Sequence, residues 1–227
     1  MRPIRTCVYD EYRGRSWLRG GVRAVPHGIL GQSKGCPYRA GRLRPRPEEF
    51  PLHILFVCTG NICRSPMAER YAAAYGAQLQ IPDLRTSSAG TRAVVGHPVH
   101  KYAAATIEKL GGRASNFAAR QFTPRIAADA DLVLTMTKVQ RDTVLELAPR
   151  LLHKTFTLTE AARLVTESHA EDVSELAALR SHVAVHELPD IPDPIGQTPE
   201  VFAAVGSQLA SLLPPILELC RLRPARP

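Results

Sequence analysis

The stretch His53-Ile54-Leu55-Phe56-Val57 constrains this chain more than any other. It is a short, β-branched, continuous apolar run of the length expected for a strand buried on both faces. Directly after it, Cys58 to Ser65 contains Gly60 and Asn61. Beyond Pro66, the Ala-rich stretch Met67 to Gly76 carries apolar residues at helical spacing, with Pro66 as start signal and Gly76 as stop. Strand, glycine-containing loop and helix in immediate succession is the opening unit of an open α/β sheet. The alternation continues. Strands are expected at Arg85–Ala89, Leu132–Met136 and Lys154–Leu158. Helices are expected at Val99–Leu110, at Val139–Leu147, once or twice within Thr159–Arg180, and at Pro199–Leu219. The expected fold is an open, four-stranded parallel sheet with helices on both faces. In such sheets ligands sit beyond the carboxyl ends of the strands, near the point where strand order reverses. The loop after the first strand is therefore the place for chemistry.

Spacing alone does not select a site in that loop. Cys7/Arg13, Cys36/Arg42, Cys58/Arg64 and Cys220/Arg226 all satisfy Cys-x5-Arg. Only Cys58 and Arg64 have a buried strand behind them and a helix ahead. Gly60 and Asn61 both tolerate positive φ, so successive backbone N–H groups can turn inward and bind an anion. The helix N-terminus adds its unpaired N–H groups and positive dipole end, and Arg64 can grip two phosphate oxygens with its planar fork. The same field acts on Cys58: a thiol with an ordinary value of about 8.5 falls into the range of roughly 3.5 to 7.5 in such surroundings. Ser65 is placed to donate a hydroxyl hydrogen bond to the sulfur.

A thiolate that attacks an aryl phosphate needs a proton donor for the leaving oxygen and later a base for water. Asp193 stands in Leu-Pro-Asp-Ile-Pro-Asp-Pro-Ile-Gly, a loop stiffened by three prolines that holds the only Asp-Pro pair of the chain. A stiff loop positions an acid well. Asp190, in the same loop, is the alternative acid or a neighbour that supports Asp193.

Composition bounds the rest. The net charge of +8 is concentrated in residues 1–50, which hold ten Arg and Lys34 against four acidic residues and show no apolar periodicity. That stretch is expected to be a disordered basic leader, or sequence upstream of the true start, followed by one domain over 51–227. The basic pI therefore gives no reason to expect nucleic acid as a partner of the folded part. Five irregularly spaced cysteines form neither a disulfide framework nor a zinc site, so no metal is expected. Without a compact apolar signal or a membrane-length apolar run, the chain reads as cytoplasmic. Its preference for Arg over Lys points to a GC-rich bacterial genome.

The ten residues Val57-Cys58-Thr59-Gly60-Asn61-Ile62-Cys63-Arg64-Ser65-Pro66 resemble the signature of the low-molecular-weight protein tyrosine phosphatases. The resemblance runs in order over roughly residues 52–221, through Ser88-Ala89-Gly90, Ala119-Arg120 and Leu134-Thr135-Met136 to Asp193-Pro194. It implies the flavodoxin-like fold of that family and hydrolysis of phosphotyrosine, or of small aryl phosphates, without cofactor, by a monomer or weak dimer. It assigns Cys58 as nucleophile, Arg64 as phosphate ligand and Asp193 as acid. The amides of Thr59, Gly60, Asn61, Ile62 and Cys63 become the substrate cradle, with Ser65, Ser88 and Asp190 in support. Asn61 and Ser88 would share a hydrogen-bond network, and Cys63 would pair reversibly with Cys58 under oxidation, packing being its other possible role.

The sequence departs from the family at the rim. Ile195 and Gly196 follow the Asp-Pro pair where aromatic residues are usual, and Ala93, Val94 and Val95 occupy the loop that often supplies an aromatic wall. The segment Thr159 to His186 is also longer than usual. Two other functions fit the loop. One is arsenate reduction with an external thiol, since no cysteine lies between Cys63 and Cys220; the other is phosphate binding without turnover.

Overall fold

A computed structural model describes residues 52–221 apart from 82, 169 and 171. The arginine-rich leader, Cys7 and Cys36 lie outside the described residues. Four strands, β1 (His53–Cys58), β2 (Arg85–Gly90), β3 (Leu132–Thr135) and β4 (Thr155–Thr157), form one sheet in the order β2-β1-β3-β4. Every pairing is parallel, as the continuous apolar runs require. All six residues of β1 are buried.

Alternation along the strands sends side chains to two cores. Ile54, Phe56, Leu132 and Leu134 face one side, packed with helices α1 (Arg64–Gln78), α2 (Lys101–Lys109), α5 (Leu158–Glu167) and α7 (Pro199–Arg221). Leu55, Val57, Ala89 and Val133 face the other, packed with α3 (Pro124–Ala128) and α4 (Lys138–Leu147). Full burial of each large apolar side chain contributes about 1.5–3 kcal/mol. A short helix α6 (Glu175–Leu179) completes the set.

Two boundaries differ from the sequence expectation. Helix α1 begins at Arg64, so Pro66 is its third residue; the missing N–H still costs nothing, because first-turn amides have no partner within the helix. Gly76 lies inside α1 and does not end it. A Cβ there would stand 2.3 Å from Leu84 Cδ2, so the glycine admits the chain leading into β2. Helix α3 escaped the sequence reading, although Thr123 caps Ile126 N–H and Pro124 follows it.

Helix α7 carries Pro214 and Pro215 in its interior. Pro214 leaves the Ala210 carbonyl without its usual N–H, and the Tyr71 hydroxyl donates to that oxygen at 3.3 Å instead. By length and composition α7 could cross a membrane, which corrects the sequence reading that no run comes near that measure. Its Phe202, Val205, Leu209, Leu213 and Ile216 are buried in the core. The longer segment after β4 is anchored at Arg180, which donates to Glu160 and to the Thr155 carbonyl and lies over the Phe156 ring.

Candidate active site

Order reverses at β1: β2 lies on one side of it, and the chain crosses over to place β3 on the other. Cys58 is the last residue of β1, 2% exposed, so the sheet delivers its sulfur to that crevice. The loop from Cys58 to Arg64 is shaped by residues 91–100. Thr91, Arg92, Val94 and His100 donate their N–H groups to the carbonyls of Cys58, Thr59, Gly60 and Ile62 at 2.8–3.0 Å. In a trans peptide the carbonyl and the following N–H point opposite ways, and the described residues contain no cis bond. The amides of Thr59, Gly60, Asn61 and Cys63 are thereby turned away from that segment. The Asn61 N–H meets Cys58 Sγ at 3.3 Å.

Asn61 alone adopts the left-handed conformation expected in this loop, with φ of 57°. Gly60 does not adopt it, and a Cβ there would meet only ordinary contacts with Ile62 and Val94. The glycine that the loop cannot replace is Gly90: a Cβ on it would lie 2.4 Å from the Thr59 carbonyl oxygen.

A buried side-chain network holds Asn61. Its amide nitrogen donates to Ser65 Oγ at 2.9 Å and to Ser88 Oγ at 2.8 Å, while its oxygen accepts the Arg120 N–H at 2.8 Å. Ser88 spends its proton on Glu69, 2.6 Å away. Ser65 Oγ accepts from Asn61, lies 3.0 Å from Cys58 Sγ, where either group can be the donor, and donates at 3.4 Å to the Ala89 carbonyl. Sequence reasoning missed Glu69. Burial pushes its carboxyl above the usual range, against the Ser88 hydrogen bond and the charges of Arg70 and Arg120.

Arg64 is 4% exposed. One Nη donates to the Ile191 carbonyl at 3.0 Å and the other to Asp193, while Nε is buried with no protein partner. The Nε edge is the edge a phosphate would take. Asp193 is half-exposed over this guanidinium, and its second oxygen accepts the Ile195 N–H. Asp190 accepts the Lys138 N–H at 2.9 Å in the first turn of α4 and lines the same cavity as Asp193. Cys63 is a free, buried thiol; burial, reinforced by Cys58 and Asp193, pushes it up to about 12, so it stays protonated.

Arg64, Asp190 and Asp193 line a cavity of about 510 Å³, walled also by Thr59, Arg92, Val139, Thr143 and Pro192, with no aromatic residue in its lining. Val94, Val95, Val139 and Ile195 are large apolar side chains left exposed on the loops and helix around it. Of the rim residues read from the sequence, Ala93, Val94, Val95, Ile195 and Gly196, none lines this cavity; its apolar walls are Val139, Ile191 and Pro192.

A buried sulfur met by a loop N–H, a forked arginine and a carboxyl paired with it are the parts a cysteine-based phosphatase needs. The chain belongs to the low molecular weight phosphotyrosine protein phosphatase family, whose model matches residues 53–173. It is a protein phosphatase, and the expected fold and family both hold. The low molecular weight protein-tyrosine-phosphatase Wzb of Escherichia coli is 32% identical over 157 residues, 69% of this chain and 87% of that protein. The protein-arginine-phosphatase of Geobacillus stearothermophilus is 32% identical over 169 residues, 74% of this chain and 96% of that one. The crystal structure of the low molecular weight protein tyrosine phosphatase from T. tengcongensis superposes with a TM-score of 0.60 at 29% identity, covering 74% of this chain and 98% of that one.

Proposed function

We propose that this chain hydrolyses phosphotyrosine in proteins through a phosphocysteine on Cys58. The phosphate would settle against the inward amides of residues 59–63 and the free Nε edge of Arg64. Cys58 Sγ attacks phosphorus in line, the P–O bond to the phenol breaks, and Asp193 gives its proton to the departing oxygen. Water then attacks phosphorus with Asp193 as base, the S–P bond breaks, and Cys58 returns as a thiolate. Fixed donors aimed at the equatorial oxygens carry the charge of the transition state. The observation that carries this reading is Cys58 Sγ held between the Asn61 N–H and the Ser65 hydroxyl at the mouth of the loop.

A second reading is favoured by one further observation. The protein-arginine-phosphatase aligns over nearly its whole length, and the cavity here includes aliphatic and short polar walls from Val139, Thr143 and Pro192. Such a cavity suits the flexible stem of a phosphoarginine, whose P–N bond would be cleaved by the same thiolate with Asp193 protonating nitrogen. Initial rates on matched phosphotyrosyl and phosphoarginyl peptides decide the leaving group. A kcat/KM higher for phosphotyrosine supports the first reading, and a higher value for phosphoarginine replaces it with the second. In either case Asp193→Ala should slow poor leaving groups by roughly 10²–10⁴-fold and activated ones far less.

A further inference from the structure

Lys138 is an odd residue for its position. It opens α4, where the positive end of the helix dipole disfavours a cation, and the first turn holds no acidic residue to offset it. The helix does not need it for capping. Thr137 and Gln140 already form a complete capping box, and Gln140 reaches on to Thr59 in the phosphate loop at 3.0 Å. The side chain of Lys138 turns instead to the chain that enters the acid loop. Its Nζ donates to the Leu188 carbonyl at 2.6 Å and to the His186 carbonyl at 3.2 Å, while its own backbone N–H donates to Asp190 Oδ1 at 2.9 Å. One residue therefore holds the incoming chain on both sides of Pro189, five to three residues ahead of Asp193. The next tie is the Ile191 N–H on the Met136 carbonyl at 2.9 Å.

From these bonds we infer that Lys138 is a positioning residue, which sets the height of Asp193 over the phosphate by clamping the chain at residues 186–190 to the start of α4. This rests on Asp193 being the acid. The long segment after β4 gives the clamp its purpose: it arrives from the far edge of the sheet, tied there at Arg180, and passes through half-exposed 3₁₀ turns before Lys138, and then the bonds of Ile191 to Met136 and Arg64, take hold of its end. Because α4 is joined to the phosphate loop through Gln140, Lys138 references the acid to the same frame that holds the phosphate. The ammonium makes the contacts as a compact point donor; a guanidinium can span the same two carbonyls, and an apolar side chain cannot.

The test uses the full chain and three aryl phosphates of rising leaving-group quality: phenyl, p-nitrophenyl and 2,4-dinitrophenyl phosphate. The readout is kcat/KM, which reports formation of the phosphoenzyme. Lys138→Met should lower it about tenfold for phenyl phosphate, where the proton is needed, and less than about twofold for the dinitrophenyl ester, a misplacement effect of the size expected for a slightly displaced acid. Lys138→Arg should restore most of the loss. Placed on Asp193→Ala, Lys138→Met should cost nothing more, since there is no acid left to misplace. An equal loss on all three esters, or a full loss in the Asp193→Ala background, overturns the inference. If Asp193→Ala itself shows no dependence on leaving group, it is the assignment of the acid that fails.

Discussion

His53 opens β1 with an imidazole 5% exposed, its Nε2 2.6 Å from Ser87 Oγ and its backbone N–H on Asp131. Burial is the largest influence on it and, together with Arg85 and Arg120, lowers it below the ordinary histidine value. The folded state therefore prefers the neutral ring. Stability from this residue is complete above about pH 6.5, where the unfolded chain is also neutral, and is lost as pH falls toward the lowered folded value. Thermal melting followed from pH 7.5 downward should show a fall that begins near pH 6.5 and is shallower in His53→Gln. Identical slopes in the two proteins would remove His53 from the account. Residues of this kind were only partly legible in the sequence. Cys58 and Arg64 stood out because a strand preceded them and a helix followed. Glu69 did not, because in Met-Ala-Glu-Arg it reads as an ordinary helix-surface charge, and only the arrival of Ser88 on β2 makes it an acceptor inside the site.

The elements explain why that loop keeps its shape. β2 ends at Gly90 beside the Thr59 carbonyl, and the segment after it supplies the N–H groups that hold the loop carbonyls outward. Gly90→Ala would place a methyl 2.4 Å from a backbone oxygen, which a side-chain rotation cannot relieve. Overpacking of this kind costs about 1–3 kcal/mol, and here the strain falls on the cradle. Inhibition by inorganic phosphate should weaken at least about tenfold while circular dichroism stays native; unchanged phosphate inhibition would show that the loop tolerates the shift. The sequence placed all four strands and most helices because their apolar runs and spacing are local signals. It set the start of α1 two residues late, since Arg64 and Ser65 read as loop until the Cys63 carbonyl accepts the Met67 N–H. The reach of Gln140 and Lys138 across more than forty residues has no local signature at all.

At the scale of the molecule, two cores on either side of a four-stranded sheet fix β1 so firmly that its last residue holds its sulfur in a crevice. The opposite-face helices converge there from different directions: α1 brings Arg64, α4 brings Gln140, and the loop ahead of α7 brings Asp193. Fold class followed from the strand and helix rhythm, whereas the apolar walls of the cavity, Val139, Ile191 and Pro192, come from separate segments and required the folded chain. The central claim is that Cys58 carries the phosphoryl group between the two steps. Acid quenching during turnover of p-nitrophenyl phosphate, followed by peptide mass spectrometry, should find one phosphoryl group on the peptide containing Cys58. It should accumulate in Asp193→Ala with an activated substrate and be absent in Cys58→Ser, which should also lose turnover while still binding phosphate. Substantial turnover by Cys58→Ser, or a phosphoryl group on any other residue, would contradict the account.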